Sequence, residues 1–264
     1  MQRKIVEQKK AKYCYLDLDL DDSRGAYQRA CDFVNKCSIK YGLSSNIVSE
    51  LGGREKLSIS ELVANDFNYA SKGRVQCQPQ TACRLVFELF PDTSPLACEN
   101  FVALCTGVKG ISKQSGVPLH YQGSIIHRYK SNFIMQGGDF IFQNGSGGES
   151  IWGKKFKDDV KGLKLKHNKK GVLSMGNGGK NSNTSQFFIT LDDETKSCDG
   201  KHTVFGQMIH GFEVLDLIEQ MKNDQQNPIK GGGGGGGGSE EPPFSIVVTS
   251  CGIWNPDQDL VNGY

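Results

Sequence analysis

The sequence lacks long apolar runs, a dominant charge sign and paired cysteines. No stretch approaches the ~20 consecutive apolar residues that a membrane helix needs. The first ten residues carry charge without an apolar centre, which is not typical of a secretory signal. Lys and Arg number 31 against 29 Asp and Glu, and the net charge of +2 argues against a dedicated nucleic-acid binder. These absences predict a cytoplasmic protein without a membrane or nucleic-acid partner.

The nine cysteines are scattered along the chain without any Cys-x-x-Cys pair. An odd, scattered set favours free thiols in a reducing compartment over a disulfide framework or a zinc site. The sequence therefore predicts no redox centre, no metal site and no other cofactor.

Residues 1–70 are predicted to form a small α/β extension. Apolar side chains at alternate positions from Cys14 to Leu20 predict a strand whose other face is acidic and solvated. Apolar positions at helical spacing then predict a helix that begins near Ser23 and ends at Gly42. A capping-box pattern, Ser58-x-x-Glu61, predicts a second helix that begins at Ser58 or Ser60.

The stretch from Ile126 to Phe140 brings together the groups that a peptide-binding groove needs. Arg128 offers a fixed fork of hydrogen-bond donors that keeps its charge near neutral pH. Phe133 and Ile134 supply apolar surface, and the Gln136 amide can both donate and accept. Two later stretches, residues 171–190 and 199–206, repeat this mixture of glycines, amides and aromatic rings. Together they predict a shallow apolar groove with a few polar groups, suited to a peptide.

These three stretches, in this order, resemble the cyclophilins, the cyclosporin-type peptidyl-prolyl cis-trans isomerases. The resemblance runs from about Gly73 to Trp254. It implies a mainly β fold, a closed eight-stranded antiparallel barrel capped by two helices, next to the small α/β N-terminal extension. The predicted domains are the extension (1–70), the cyclophilin-like domain with a flexible glycine loop (71–254, loop 231–238) and a C-terminal tail (255–264).

Local patterns place several elements within that domain. Strands are predicted at residues 73–78 and 84–90, and a closing strand at residues 245–252. A helix is predicted to begin at Pro95, with Ser94 as its cap and Gly107 at its end. A second barrel helix is predicted at residues 212–221.

The resemblance also implies roles for individual residues. Arg128, Gln136 and His202 stand at the catalytic positions. The substrate-binding positions, which line the groove, are His127, Phe133, Ile134, Gly176, Asn177, Gln186, Phe188 and Cys198.

Three sites depart from the family's pattern. Ile134 replaces the usual methionine and stiffens the apolar surface, because isoleucine is β-branched. Gly176 replaces the usual alanine. Ser197-Cys198 stands where the family commonly has Trp-Leu. The loss of that tryptophan implies weaker peptide binding and reduced activity.

The implied reaction involves no covalent chemistry. Rotation of a peptide bond crosses a barrier of ~18–20 kcal/mol, and Xaa-Pro isomers exchange on the order of tens to hundreds of seconds. In the twisted transition state the prolyl nitrogen regains its lone pair, so a donor aimed at it binds that state better than the ground state. The resemblance implies Arg128 as this donor.

Two functions are open at this point. One is an active isomerase whose partners are proline-containing segments of other proteins. The other is a non-catalytic docking subunit that joins a large assembly through residues 1–70. Residues 116–121 and the N-terminal extension are similar to divergent isomerase-like cyclophilins of ciliary axonemes. That similarity makes the radial spoke of the cilium an alternative location to the cytoplasm.

Overall fold

The computed structural model describes residues 11–226 and 241–259. The chain divides into two compact units: one holds the chain up to Leu18 and from Cys83 onwards, and the other is Asp19–Ala82. The predicted glycine loop and the last five residues of the predicted tail lie outside the described residues. Each unit has its own architecture.

Eight strands occur within the described ranges: β1 (Tyr13–Leu20), β2 (Arg84–Leu89), β3 (Ile126–Lys130), β4 (Ile134–Gly137), β5 (Val172–Met175), β6 (Phe187–Thr190), β7 (Val204–His210) and β8 (Ile246–Ile253). The helices are α1 (Ser23–Tyr41), α2 (Gly53–Asn65), α3 (Pro95–Thr106), α4 (Phe212–Gln226) and the four-residue α5 (Pro256–Asp259). Within the same ranges, no helix is both long and apolar enough to cross a membrane.

The strands form one antiparallel sheet in the order β3-β4-β6-β5-β7-β2-β1-β8. Its two ends meet just before β3, where the Gly123 amide donates to the Val248 carbonyl at 2.7 Å and the Val248 amide to the Ser124 carbonyl at 2.9 Å. The sheet is therefore a nearly closed barrel. The predicted mainly β fold is confirmed.

The barrel core centres on the α3 ring of Phe101. Its centroid lies 5.2 Å from Phe205, 5.3 Å from Tyr121 and 5.5 Å from Phe187, and all four rings are fully buried. Tilted and edge-to-face contacts of this kind add to the stabilisation from burial. This cluster ties α3 to the strands β6 and β7.

The predicted extension, residues 1–70, differs at both its start and its end from the compact unit Asp19–Ala82. The strand expected in the extension is β1, and its residues from Tyr13 to Asp17 pair with β2 of the barrel. The chain from residue 71 to Ala82 belongs to the second unit. The second unit is thus an insertion between two neighbouring barrel strands.

Two other local predictions need correction. Residues 73–78 contain no strand, and Val75 is instead buried in the core of the second unit. Helix α2 begins at Gly53, five residues before Ser58, because the Glu55 carboxylate accepts the amide of Gly52 at 2.9 Å. Ser58 lies inside the helix, where its hydroxyl donates to the Glu55 carbonyl at 2.8 Å.

Helix α3 begins at Pro95 with Ser94 at the N-cap position, as predicted, but the Ser94 side chain makes no capping hydrogen bond. The Ser94 hydroxyl donates to the Val204 carbonyl at 2.6 Å. The free amides at the start of the helix, those of Leu96 and Ala97, donate to the Asp159 carboxylate at 3.3 and 3.0 Å. A carboxylate distant in sequence therefore takes the capping role.

Candidate active site

Arg128 and Gln136 lie opposite each other on the neighbouring strands β3 and β4. This register brings their side chains together, and Arg128 Nη1 donates to Gln136 Oε1 at 3.2 Å. Both side chains are half-buried. The pair therefore spans the first two strands of the sheet order, β3 and β4.

A second glutamine fixes the orientation of the first. Gln136 Nε2 donates to Gln186 Oε1 at 2.8 Å, and Gln186 Nε2 donates to the carbonyls of Gly145 and Gly147 at 2.8 and 2.7 Å. The hydrogen bonds therefore run in one direction: Arg128 donates to the Gln136 oxygen, and the Gln136 nitrogen donates to the Gln186 oxygen. This one-way order leaves the Gln136 oxygen facing Arg128.

The apolar part of the site lies on the other side of Gln136. Ile134, Phe188 and Cys198 pack into one cluster, exposed by only 3%, 1% and 5%, and the half-buried Phe133 packs against it. Phe188 pairs across the strands with Gln136, so the strand register joins the polar and apolar halves. Phe133 is the accessible part of this patch.

His202 borders Phe188 edge to face, with ring centroids 5.2 Å apart. Its Nδ1 lies 2.9 Å from the Met175 carbonyl, to which it donates. Burial lowers the pKa of His202, so the ring is neutral at pH 7. The neutral ring then presents Nε2 as an acceptor.

Gly176 and Asn177 border a polar cavity beside Gln136. A Cβ at Gly176 would lie 3.1 Å from Gln186 Cβ and 3.3 Å from Gln136 Nε2, so an alanine here would press on both glutamines. Asn177 Nδ2 donates to the Lys201 carbonyl at 3.0 Å. The cavity holds about 270 Å³, and Lys155 also lines it.

His127 is set apart from the other predicted site residues. Ile126 pairs with Gly137 and Arg128 with Gln136, which leaves His127 as the extra residue of a β-bulge. Its ring lies against Gly145 and lines a different cavity, of about 480 Å³, with none of the other predicted residues. Within the described ranges neither ring nitrogen has a hydrogen-bond partner, and burial lowers its pKa.

Three residues beside Phe188, the buried His167 and Ser174 and the half-buried Asp199, were given no role by the sequence interpretation. The His167 ring stacks on Phe188 with centroids 5.6 Å apart. Its Nδ1 lies 3.0 Å from Asp199 Oδ1 and its Nε2 lies 3.0 Å from Ser174 Oγ. The order Asp-His-Ser matches a hydrolase triad. Because His167 and Ser174 are fully buried, the series supports the Phe188 ring and reaches no substrate.

Comparisons with known proteins identify relatives of this chain. A family model described as "Cyclophilin type peptidyl-prolyl cis-trans isomerase/CLD" matches residues 74–252. The peptidyl-prolyl cis-trans isomerase cyp11 of Rhizopus delemar is 50% identical over 147 residues, which are 55% of this chain and 43% of that protein. The chain therefore spans less than half the length of this curated relative.

Two crystal structures of a Cryptosporidium parvum cyclophilin-type peptidyl-prolyl cis-trans isomerase are similar at 33% identity and a TM-score of 0.52. Each covers 65% of this chain, and the matched parts are 93% and 91% of those chains. One of the two was determined in the presence of the dipeptide Ala-Pro.

Proposed function

The chain belongs to the cyclophilin-type peptidyl-prolyl cis-trans isomerase family, and on this premise we propose that it isomerises Xaa-Pro bonds in proteins. The observation that carries the proposal is the Arg128–Gln136 pair, joined at 3.2 Å beside the apolar patch of Phe133, Ile134 and Phe188. Proline-containing segments are the substrate class. The Ala-Pro dipeptide used with a similar structure supports this choice.

The proposed mechanism uses Arg128 as a donor to the prolyl nitrogen. As the peptide bond twists, that nitrogen becomes a better acceptor, so the guanidinium stabilises the transition state more than the ground state. Gln136 holds the guanidinium through its oxygen, which is itself held by the Gln186 amide. The donor therefore needs little reorganisation when the substrate twists.

The apolar patch holds the proline ring. Phe133 is its accessible surface, and the buried Ile134, Phe188 and Cys198 support it from below. The patch keeps water away from the twisting bond, which strengthens the hydrogen bond from Arg128. Because Cys198 is smaller than the leucine common in the family, the support is reduced, and we propose a reduced activity.

The decisive experiment compares the full chain with its Arg128→Ala variant on a proline tetrapeptide, with exchange followed by NMR. Loss of a charged hydrogen bond to the transition state is expected to lower kcat/KM by at least about tenfold. Arg54→Ala is the matched control, since Arg54 is an exposed arginine of the second unit. A parent that does not exceed the uncatalysed rate, or an Arg128→Ala variant equal to the parent, would overturn the assignment.

We also propose a docking role for the unit Asp19–Ala82. Three large apolar side chains of this unit are almost fully exposed: Ile39 at 97%, Leu57 at 83% and Phe67 at 96%. Exposed apolar side chains mark a protein-binding surface where they form one patch, and the proposal takes these three as parts of such a patch. Removal of residues 19–82 is expected to abolish such docking and to spare the isomerase. A cytoplasmic location is proposed from the scattered free cysteines, and a location in the ciliary axoneme from the resemblance alone.

A further inference from the structure

One carboxylate of helix α4 holds two hydroxyls at the end of β3. The Tyr129 hydroxyl donates to Glu219 Oε2 at 2.5 Å. The Ser131 hydroxyl lies 3.0 Å from Glu219 Oε1 and 2.8 Å from Oε2. A single side chain of the helix is thus bonded to two positions that flank Lys130.

Lys222, one helical turn beyond Glu219, completes the contact. Its ammonium donates to the Ser131 hydroxyl, lies 3.8 Å from Glu219 Oε1 and sits 5.6 Å from the centroid of the Tyr129 ring. We call Tyr129, Ser131, Glu219 and Lys222 the Glu219 network. Every member contacts at least two others, through hydrogen bonds, an ion pair or the contact between Lys222 and the Tyr129 ring, so the network resists displacement in more than one direction.

The charges in the network reinforce this arrangement. Burial alone would raise the pKa of Glu219, but hydrogen bonds from Tyr129 and Ser131 and the nearby Lys222 hold it below its ordinary value. Burial and the adjacent carboxylate raise the pKa of Tyr129. At neutral pH the carboxylate is therefore charged and the phenol keeps its proton, which makes their hydrogen bond charge-assisted.

Strand geometry connects the network to the candidate site. Residues two apart in a strand project to the same side, and their neighbours project to the other side. Tyr129 in β3 and Ser131 in the turn directly after it both meet Glu219. Arg128 meets Gln136, and the Lys130 ammonium lies 5.6 Å from the ring centroid of Phe133. The network therefore contacts β3 and the following turn from the side opposite to the side chains of Arg128 and Phe133.

We propose that Glu219 is a positioning residue of the isomerase, which fixes through Tyr129 and Ser131 the strand that carries Arg128 and the turn that carries Phe133. This inference rests on the proposed function of the Arg128 site. Catalytic groups tolerate little displacement, since a shift of about 1 Å can cost on the order of 100-fold in rate. Glu219 itself touches no substrate.

The test measures kcat and KM for the full chain and for Glu219→Gln, Tyr129→Phe and Ser131→Ala. Glu219→Gln is expected to lower kcat about five- to tenfold and to leave KM within about twofold, because orientation and not peptide binding is lost. Tyr129→Phe removes one oxygen and keeps the buried ring, so it carries the test if Glu219→Gln does not fold. Glu213→Gln, an exposed glutamate of the same helix, is expected to match the parent.

A stabilising contact without a positioning role would give a different pattern. If Glu219 acts through Arg128, the double variant Arg128→Ala/Glu219→Gln has the same residual rate as Arg128→Ala alone. If the two losses were independent, the double variant would be slower than Arg128→Ala. The Nε–Hε NMR signal of Arg128 gives a readout without turnover, and it is expected to broaden or shift in Glu219→Gln but not in Glu213→Gln. An inactive parent would overturn the proposed function, and the Arg128 signal would still decide the positioning role. An unchanged kcat with an unchanged signal would overturn that role.

Discussion

Three histidines in or beside the candidate site share one electrostatic property. Burial lowers the pKa of His127, His167 and His202. In the unfolded chain each ring returns to its ordinary pKa of about 6.5. Below that pH the unfolded state therefore binds more protons than the folded state, and the free energy of unfolding falls as the pH falls.

We expect the chain to be less stable at pH 5.5 than at pH 7.5. The stabilisation is fully present above the unfolded pKa and is lost as the pH decreases below it, because neutral buried rings must then take up protons. Urea unfolding at the two pH values measures the effect. In His167→Gln the free energy of unfolding should differ less between the two pH values than it does in the parent. A free energy of unfolding that stays constant or rises on acidification would contradict this account.

At this scale the sequence identifies residues that act through their own chemistry. Arg128, Gln136 and Phe188 are predictable because their residue types and spacing form motifs, and the structure brings them together. His167 is not predictable, since it lies in a lysine-rich segment and meets Phe188 only through the fold. The separation of His127 is equally hidden, because a β-bulge depends on the register of the partner strand.

At the scale of elements, helix α3 depends on a carboxylate from outside the helix. Asp159 accepts the amides of Leu96 and Ala97 and is itself buried. Asp159→Ala is expected to cost about 1 kcal/mol of stability, as for the loss of an N-cap. Hydrogen exchange should show faster exchange at the amides of Leu96 and Ala97.

Two further variants separate this effect from general destabilisation. Ser94→Ala removes the bond to the Val204 carbonyl and should leave the exchange of the two amides unchanged relative to the rest of α3. Asp92→Ala, an exposed aspartate near the same helix end, should have no effect. If Ser94→Ala exposes the two amides and Asp159→Ala does not, the acceptor of these amides is the serine hydroxyl and not the Asp159 carboxylate.

Element type is thus more predictable than element partner. The alternation from Cys14 to Leu20 correctly predicts a strand, and the apolar spacing before Gly42 correctly predicts α1. Neither pattern states which strand pairs with β1, because a period of two residues defines a face and not a neighbour. The N-cap position of Ser94 was predictable for the same reason as element type, whereas the acceptor of the helix amides was not, because Asp159 is distant in sequence from Leu96.

At the scale of the whole molecule, the hairpin of β1 and β2 is closed before the insertion begins. Arg84 forms two hydrogen bonds to the Asp17 carboxylate, at 2.7 and 2.9 Å, and the Leu18 amide donates to the Cys83 carbonyl at 2.9 Å. The inserted unit has its own buried cluster, which includes Phe33, Val34, Ile59, Val63 and Tyr69. Each unit therefore has the burial needed to fold as a separate body.

We accordingly expect the insertion to be removable. Residues 19–82 are replaced by Asn-Gly, which forms the tight turn preferred between two antiparallel strands. Because Leu18 and Cys83 are already hydrogen-bonded, the shortened chain should keep the barrel, and its kcat/KM on a proline tetrapeptide should stay within about twofold of the parent. Circular dichroism tests whether the barrel is kept, and the NMR exchange assay tests whether kcat/KM is kept.

The informative control keeps the insertion and changes only its exposed apolar residues, Ile39, Leu57 and Phe67, to serine. This variant and the excised chain should share the loss of any docking partner while both keep isomerase activity. An excised chain that folds but turns over poorly would show that the insertion contributes to catalysis. An excised chain that does not fold would show that the hydrogen bonds at Leu18 and Asp17 are insufficient to close the barrel, and that the insertion belongs to its folding unit.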